Sequence, residues 1–186
     1  MALDERKKEL LNSDLFRDVC AKAAENTKED WDVSAKVIAA VLEVLLNSNE
    51  GPCTILIPTV EAVEELFRDK DDDAPSTPES FKAQVGLLLD SILRGTLLAD
   101  GFEEAIAASN GAVQFSTLTG SAVTATLEQG KVVLTDPFGN RVTATGPQHR
   151  GPRGDVFYKA DGFLMGELWI DYFEPRPSGE GPSGTP

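Results

Sequence analysis

The chain has 186 residues, 41% of them hydrophobic, a formal net charge of −14 and a single histidine. That length and apolar content suit one domain with a real core and short appendages. The acidic excess argues against nucleic acid and anionic lipid headgroups, both of which call for Lys and Arg, and favours basic partners or contact through neutral patches.

In chain order, residues 3–12 read as a short charged helix, part of an N-terminal extension over 1–13. This segment lacks the apolar stretch of a secretory leader, so either a cytosolic or organellar protein or one with its targeting segment removed is expected. Ser13 is placed to cap a helix in which Leu15, Phe16, Val19, Cys20 and Ala23 form an apolar stripe. Asn26-Thr27 breaks the pattern. Asp32 caps a second helix, with Val33, Val37, Ala40, Val41, Val44 and Leu45 on one face, and the run Asn47 to Pro52 stops it.

An apolar strand, Thr54 to Ile57, then runs into Pro58-Thr59. Pro58 has no N–H for a ladder, so the strand must end there or lie at an edge. Thr59 can cap the next helix by accepting from the Ala62 amide. Ala62, Val63 and Leu66 give that helix an apolar side, and Glu61, Glu64 and Glu65 occupy its first turns, where the macrodipole favours anions. Asp69 to Ser76 is a polar loop. Thr77-Pro78-Glu79 opens a helix carrying Phe81, Val85, Leu88, Leu89, Ile92 and Leu93, with Gly95 ending it.

From about Gly111 the period falls to near two. Val113–Phe115, Ala122–Glu128, Lys131–Thr135, Arg141–Thr145, Val156–Lys159 and Glu167–Phe173 read as strands, with turns at Gln129-Gly130 and Asp136–Asn140. Gly146 to Gly154 reads as a Gly/Pro/basic loop. Residues 175–186 are rich in Pro, Gly and Ser and are expected to be disordered. No internal repeat is visible, and no window reaches the ~18 apolar residues of a membrane span. Helices first and strands after give an α+β class, with one early strand joining a sheet built by the second half.

Four segments, in order, carry a family resemblance: TILIPTVEAV (Thr54 to Val63), LLLDSILRGTLL (Leu87 to Leu98), the hairpin SAVTATLEQGKVVLT (Ser121 to Thr135) and GDVFYKADGFLM (Gly154 to Met165). Together they resemble the fasciclin domain over roughly residues 14–166, within a domain expected to span 14–174. The resemblance implies N-terminal helices packed on a wedge-shaped, mostly antiparallel β-sandwich. It also implies a non-enzymatic adhesion or binding module at the cell surface, meeting a protein or extracellular matrix partner. Two departures stand out. Where the family often carries a Tyr-His pair, this chain has Asp90 and Ser91, and the usual His of the last signature is Tyr158, so an integrin-binding role does not carry over. The final strand, in GELWIDYFEP, is an addition to the family pattern.

The search for chemistry returns little. His149 sits between Gly, Pro and Arg residues, with no GxSxG elbow to present a serine. Asp69, Asp71 and Asp73 begin like a calcium loop, but Ala74 and Ser80 stand where Gly and Glu are needed. Cys20 and Cys53 form no CxxC or Cys/His set and read as buried thiols. Catalytic residues, metal ligands and cofactors are therefore not expected. The contact residues expected instead are Trp169, Tyr172 and Phe173 on the last strand, and Arg141, His149, Arg150 and Arg153 at the basic loop. A second expectation is an accessory or linker subunit of a large intracellular or organellar, for example photosynthetic, assembly.

Overall fold

The computed structural model describes residues 13–26, 40–41, 43–45, 47, 51–67, 78–97, 101–151 and 153–173. The expected N-terminal helix, the acidic loop with Asp69, Asp71 and Asp73, and the tail lie outside these residues.

Helix α1 (Asp14–Asn26) starts where Ser13 predicts, with the Phe16 amide donating to Ser13 Oγ at 3.2 Å. Residues 40, 41, 43–45 and 47 are helical as well. Strand β1 (Cys53–Pro58) follows and ends at the proline. Thr59 then caps α2 (Val60–Phe67), the Ala62 amide donating to its Oγ1 at 3.1 Å. Helix α3 (Pro78–Asp90) leads through Ser91 into β2 (Ile92–Arg94). Helix α4 (Gly101–Ala108) precedes an antiparallel run: β3 (Ala112–Ser116), β4 (Ala122–Glu128), β5 (Lys131–Thr135), β6 (Arg141–Arg150) and then β7 (Val156–Ala160). Helix α5 (Glu167–Phe173) closes the described chain.

The seven strands make one continuous sheet in the order β2-β1-β7-β6-β5-β4-β3, so the class is α+β with a mostly antiparallel sheet. A single curled sheet stands where two packed layers were expected. Its edges nearly meet: Leu93 of β2 bridges Thr117 just past β3, and the Leu118 amide donates to Ile92 O at 2.8 Å. The result is close to a barrel, an arrangement that removes most of the liability of open edges. The early strand β1 lies between β2 and β7, in parallel with β7 from Thr54↔Val156 to Pro58↔Ala160. Pro58 is tolerated because it is the last residue of the strand.

Local chemistry explains the hairpins. Gln129 (φ 51°) and Gly130 (φ 76°) form the two-residue turn between β4 and β5, whose left-handed backbone matches strand twist. At the β5–β6 turn the Asp136 carboxylate accepts from the Phe138 and Asn140 amides and from Asn140 Nδ2, at 2.9–3.0 Å.

Three packed regions result. Val123, Ala125, Leu134, Val142, Val156 and Tyr158 point into the barrel, which Phe102 and Ile106 of α4 fill, one turn apart. Phe102 meets Phe115 and Tyr158 edge-on, with ring centroids 5.4 and 4.9 Å apart. The outer side of β1 packs on α1, α3 and the helical residues 40, 41 and 43–45 through Phe16, Leu45, Ile55, Val85 and Leu89. Ala62, Leu87, Phe163, Trp169 and Ile170 join α2, α3 and α5.

Two sequence expectations are corrected here. The helix opened by Pro78 ends at Asp90, and Ile92–Leu93 belong to β2 rather than to its last turn. Asp90 is drawn inward to hydroxyls of the β3–β4 connection, and Ser91 O accepts from the Leu56 amide at 2.9 Å, which turns the backbone into the sheet. The segment Glu167–Phe173 is a helix, not a strand. In seven residues an apolar run fits either period. Packing decides: Leu168, Trp169 and Ile170 are all buried, and Gly86 of α3 lets α5 approach so closely that a Cβ there would lie 3.0 Å from Leu168 Cδ1.

Candidate functional site

The ladder places Pro58, Ala160, Ala144, Val132 and Leu127 in one row across β1, β7, β6, β5 and β4. Ala144 of this row leaves space, and beside it lies a cleft of about 560 Å³. Phe102 and Tyr158 line it together with Lys131 and Lys159, Glu103 and Asp161, and the threonines Thr59, Thr143 and Thr145. Its lining contains no described Ser, Cys or His. Next to it stand two exposed aliphatics: Ile57, 49% exposed, beside Lys159 of the neighbouring strand, and Val60, 69% exposed, directly after the capping Thr59. Leu127, also exposed, lies on the hairpin that contributes Gly130 and Lys131. Glu61 adds charge close by. Its own backbone amide, then the Thr59 hydroxyl, hold its carboxyl below the usual range, and Lys159 acts in the same direction.

The contact residues read from sequence are placed elsewhere. Trp169 is 1% exposed and belongs to the core between α3 and α5. Tyr172 is exposed on the outer side of α5. The side chains of Phe173 and His149 lie outside the described residues.

The basic loop is also different from its reading. Most of it is strand: β6 continues to Arg150, with His149↔Phe157 and Arg150↔Val156 paired. Residues 146–148 form an irregularity between Thr145 and His149, where Gly146 takes φ 149° and the missing Pro147 N–H does no harm. The turn itself is Gly151 to Asp155, closed by the Gly151 amide on Asp155 O at 2.8 Å.

The arginines are not gathered. Arg141 and Arg150 start and end β6, on the order of 25–30 Å apart at the usual rise of a strand. Arg141 of β6 is paired with Glu128 at the end of β4, across the intervening β5. Arg153 is mostly buried, donating to Gly51 O at 3.0 Å, with its Nε 3.6 Å from Asp155 Oδ2. Arg150 is exposed. What was read as one cationic spot is three separate environments.

Sequence reading missed a polar cluster at the barrel seam. Asp90, at the end of α3, is buried, as is Thr117. Thr117 Oγ1 donates to Asp90 Oδ1 at 3.1 Å, and Thr119 Oγ1 donates to the same oxygen. Thr119 lies 2.8 Å from Thr117 and 3.1 Å from Ser121, hydroxyl to hydroxyl. Burial pushes the Asp90 carboxyl up to about 7; the Thr119, Ser121 and Thr117 hydroxyls act against that rise, and the charge of Asp136 adds to it. The signal available in the sequence was the spacing Thr117, Thr119, Ser121, three hydroxyls on alternate residues.

Among the described residues no group of three or more His, Cys, Asp or Glu side chains gathers, and no helix is long and apolar enough to cross a membrane. Cys20 and Cys53 are thiols rather than halves of a disulfide, the Cys53 Sγ donating to Gly51 O at 3.2 Å, and burial pushes Cys20 up to about 11, against the pull of Lys82. No family model and no curated protein matches the chain.

Proposed function

We propose that this chain is a fasciclin-like, non-enzymatic binding domain that meets a protein or matrix partner through the cleft beside β1. The observation that carries the reading is the cleft with its edge: the exposed aliphatics Ile57 and Val60 flank Thr59, with Lys159 alongside, and no described Ser, Cys or His lines the space. Apolar anchors rimmed by charge are the usual composition of a contact surface, and a concave site with few polar groups is the usual place for one. The lysines Lys131 and Lys159 fit an acidic group of the partner, which the rest of this acidic surface would repel.

The family part of the proposal draws support from placement. TILIPTVEAV supplies β1, its proline stop and the capped α2, and GDVFYKADGFLM supplies β7, which runs parallel to β1 at its side. Segments roughly a hundred residues apart in sequence thus lie side by side in one sheet, as expected of an early strand that joins a sheet built by the second half. Function does not follow from fold alone, so the contact surface is the part to test.

The test is site-specific photo-crosslinking in extract of the native source, with the probe at Val60 or Lys159 and a control probe at Glu104, which is exposed on α4. One stoichiometric protein or matrix component crosslinked from positions 60 and 159 but not 104, and lost in Ile57→Asp, supports the reading. Crosslinks from all three positions, or none from the first two, would remove it.

A further inference from the structure

A carboxyl group buried without a cation is expensive when charged and cheap when neutral. Among the described residues no cation pairs with Asp90, which is buried, and its position gives that cost a consequence. It ends α3 immediately before β2, the strand that forms one edge of the sheet. Its partners Thr117 and Thr119 lie just beyond β3, the other edge, and Thr117 is itself the residue that bridges Leu93. The carboxyl also lies against Gly166, where a Cβ would be 1.8 Å from Asp90 Oδ2, immediately before α5. One side chain therefore joins the two sheet edges and the approach to the last helix.

The donors at this junction are hydroxyls. A hydroxyl rotates and can donate or accept, so the cluster can serve a carboxylate or a carboxylic acid by turning its protons. The neighbouring elements carry few charges. Asp136, on the β5–β6 turn, repels the ionised form. Glu167 follows Gly166. Arg94 is the cation of β2, and its Nη2 donates to Leu118 O at 3.2 Å.

We infer that Asp90 is a proton-operated latch on the barrel seam: protonated, it lets β2, the β3–β4 connection and the start of α5 close on one another, and ionised, it loosens that junction. The direction follows from linkage. The folded carboxyl titrates above its unfolded value, so the stabilisation it gives is complete below the unfolded value of 3.8 and is lost as pH rises through about 7. Seam opening is thus favoured on the alkaline side of neutrality and suppressed in acid. This inference stands apart from the binding surface at β1.

Hydrogen exchange on the full chain tests it, with amides 91–94 and 117–121 followed at pH ~5.5 and ~8 and corrected for the chemical exchange rate. In the wild type, opening of these amides should increase about fivefold or more over that interval, while the β4–β5 hairpin stays constant. Asp90→Asn should abolish the increase. Thr119→Val, which removes a donor to the charged form, should keep the increase and move its midpoint to higher pH; a purely structural role for Thr119 leaves the midpoint in place. Seam amides indifferent to pH in the wild type, or equally pH-dependent in Asp90→Asn, would overturn the latch. Should Asp90→Asn fail to fold, the wild-type profile and the Thr119→Val midpoint decide the matter.

Discussion

Asp136 and Asp90 are both buried, and adjacent residues of the chain touch them: the Met165 amide donates to Asp136 Oδ2 at 2.9 Å, and Gly166 lies against Asp90. They are built differently. Asp136 accepts from N–H groups alone, three of them backbone amides of its own turn and of the strand-to-helix segment. An N–H can only donate, so that geometry is fixed. Asp90 accepts from hydroxyls, which can reverse. One carboxylate is held by donors of fixed sense; the other is held by donors that can turn. The donor type, more than the depth of burial, separates them.

Met165 and Gly166 lead directly into α5, so the largest effect is expected from undocking that helix. Trp169→Ala should cost about 3–5 kcal/mol in denaturant unfolding, as a large aromatic leaves a void. A loss under about 1 kcal/mol would mean that Trp169 faces solvent. Next comes Asp136→Ala, with a loss of about 2–4 kcal/mol, since it leaves several N–H donors without an acceptor. The same denaturant unfolding checks it, and a loss under about 1 kcal/mol would mean that the turn amides find other acceptors.

Asp90→Asn is the sharper probe. Relative to this variant, the wild type should lose about 4 kcal/mol as pH rises from about 4 to about 8, at roughly 1.4 kcal/mol per unit of pKa displacement. A stability difference that is flat over this range would make the two carboxylates alike. Thr59→Ala removes one helix cap and should cost about 1 kcal/mol in denaturant unfolding near neutral pH. The smallest effect belongs to Arg141→Ala. Its pair with Glu128 is exposed on both sides, and the unfolding midpoint should not move measurably.

How much of this was legible depended on whether local chemistry decided the conformation. The Ser13 and Thr59 caps, the Pro58 stop, the Gln129-Gly130 hairpin and the strands from Ala122 to Thr135 were readable because each is set by residues within a few positions of one another. Gly166-Glu167-Leu168-Trp169 was not. Its helix is selected by Gly86, about eighty residues earlier, through a close approach invisible in the sequence. The end of α3 at Asp90 was missed for the same reason, because hydroxyls 27 and 29 residues downstream draw the carboxyl inward.

The contact surface shows the same limit. Trp169 and Tyr172 have the composition of interface anchors, yet tertiary packing buries the first. Ile57 and Val60 look like core residues of a strand and a helix start, yet they are left outside beside the cleft. Residue type proposes a role, and long-range packing assigns it.

The contrast between the two aspartates is tested most directly by following the Asp90 side-chain carboxyl carbon by NMR across pH ~4 to ~9 in the intact chain. A midpoint near 7 is the expected result. A midpoint below about 5, in the range of an ordinary exposed aspartate, would contradict it.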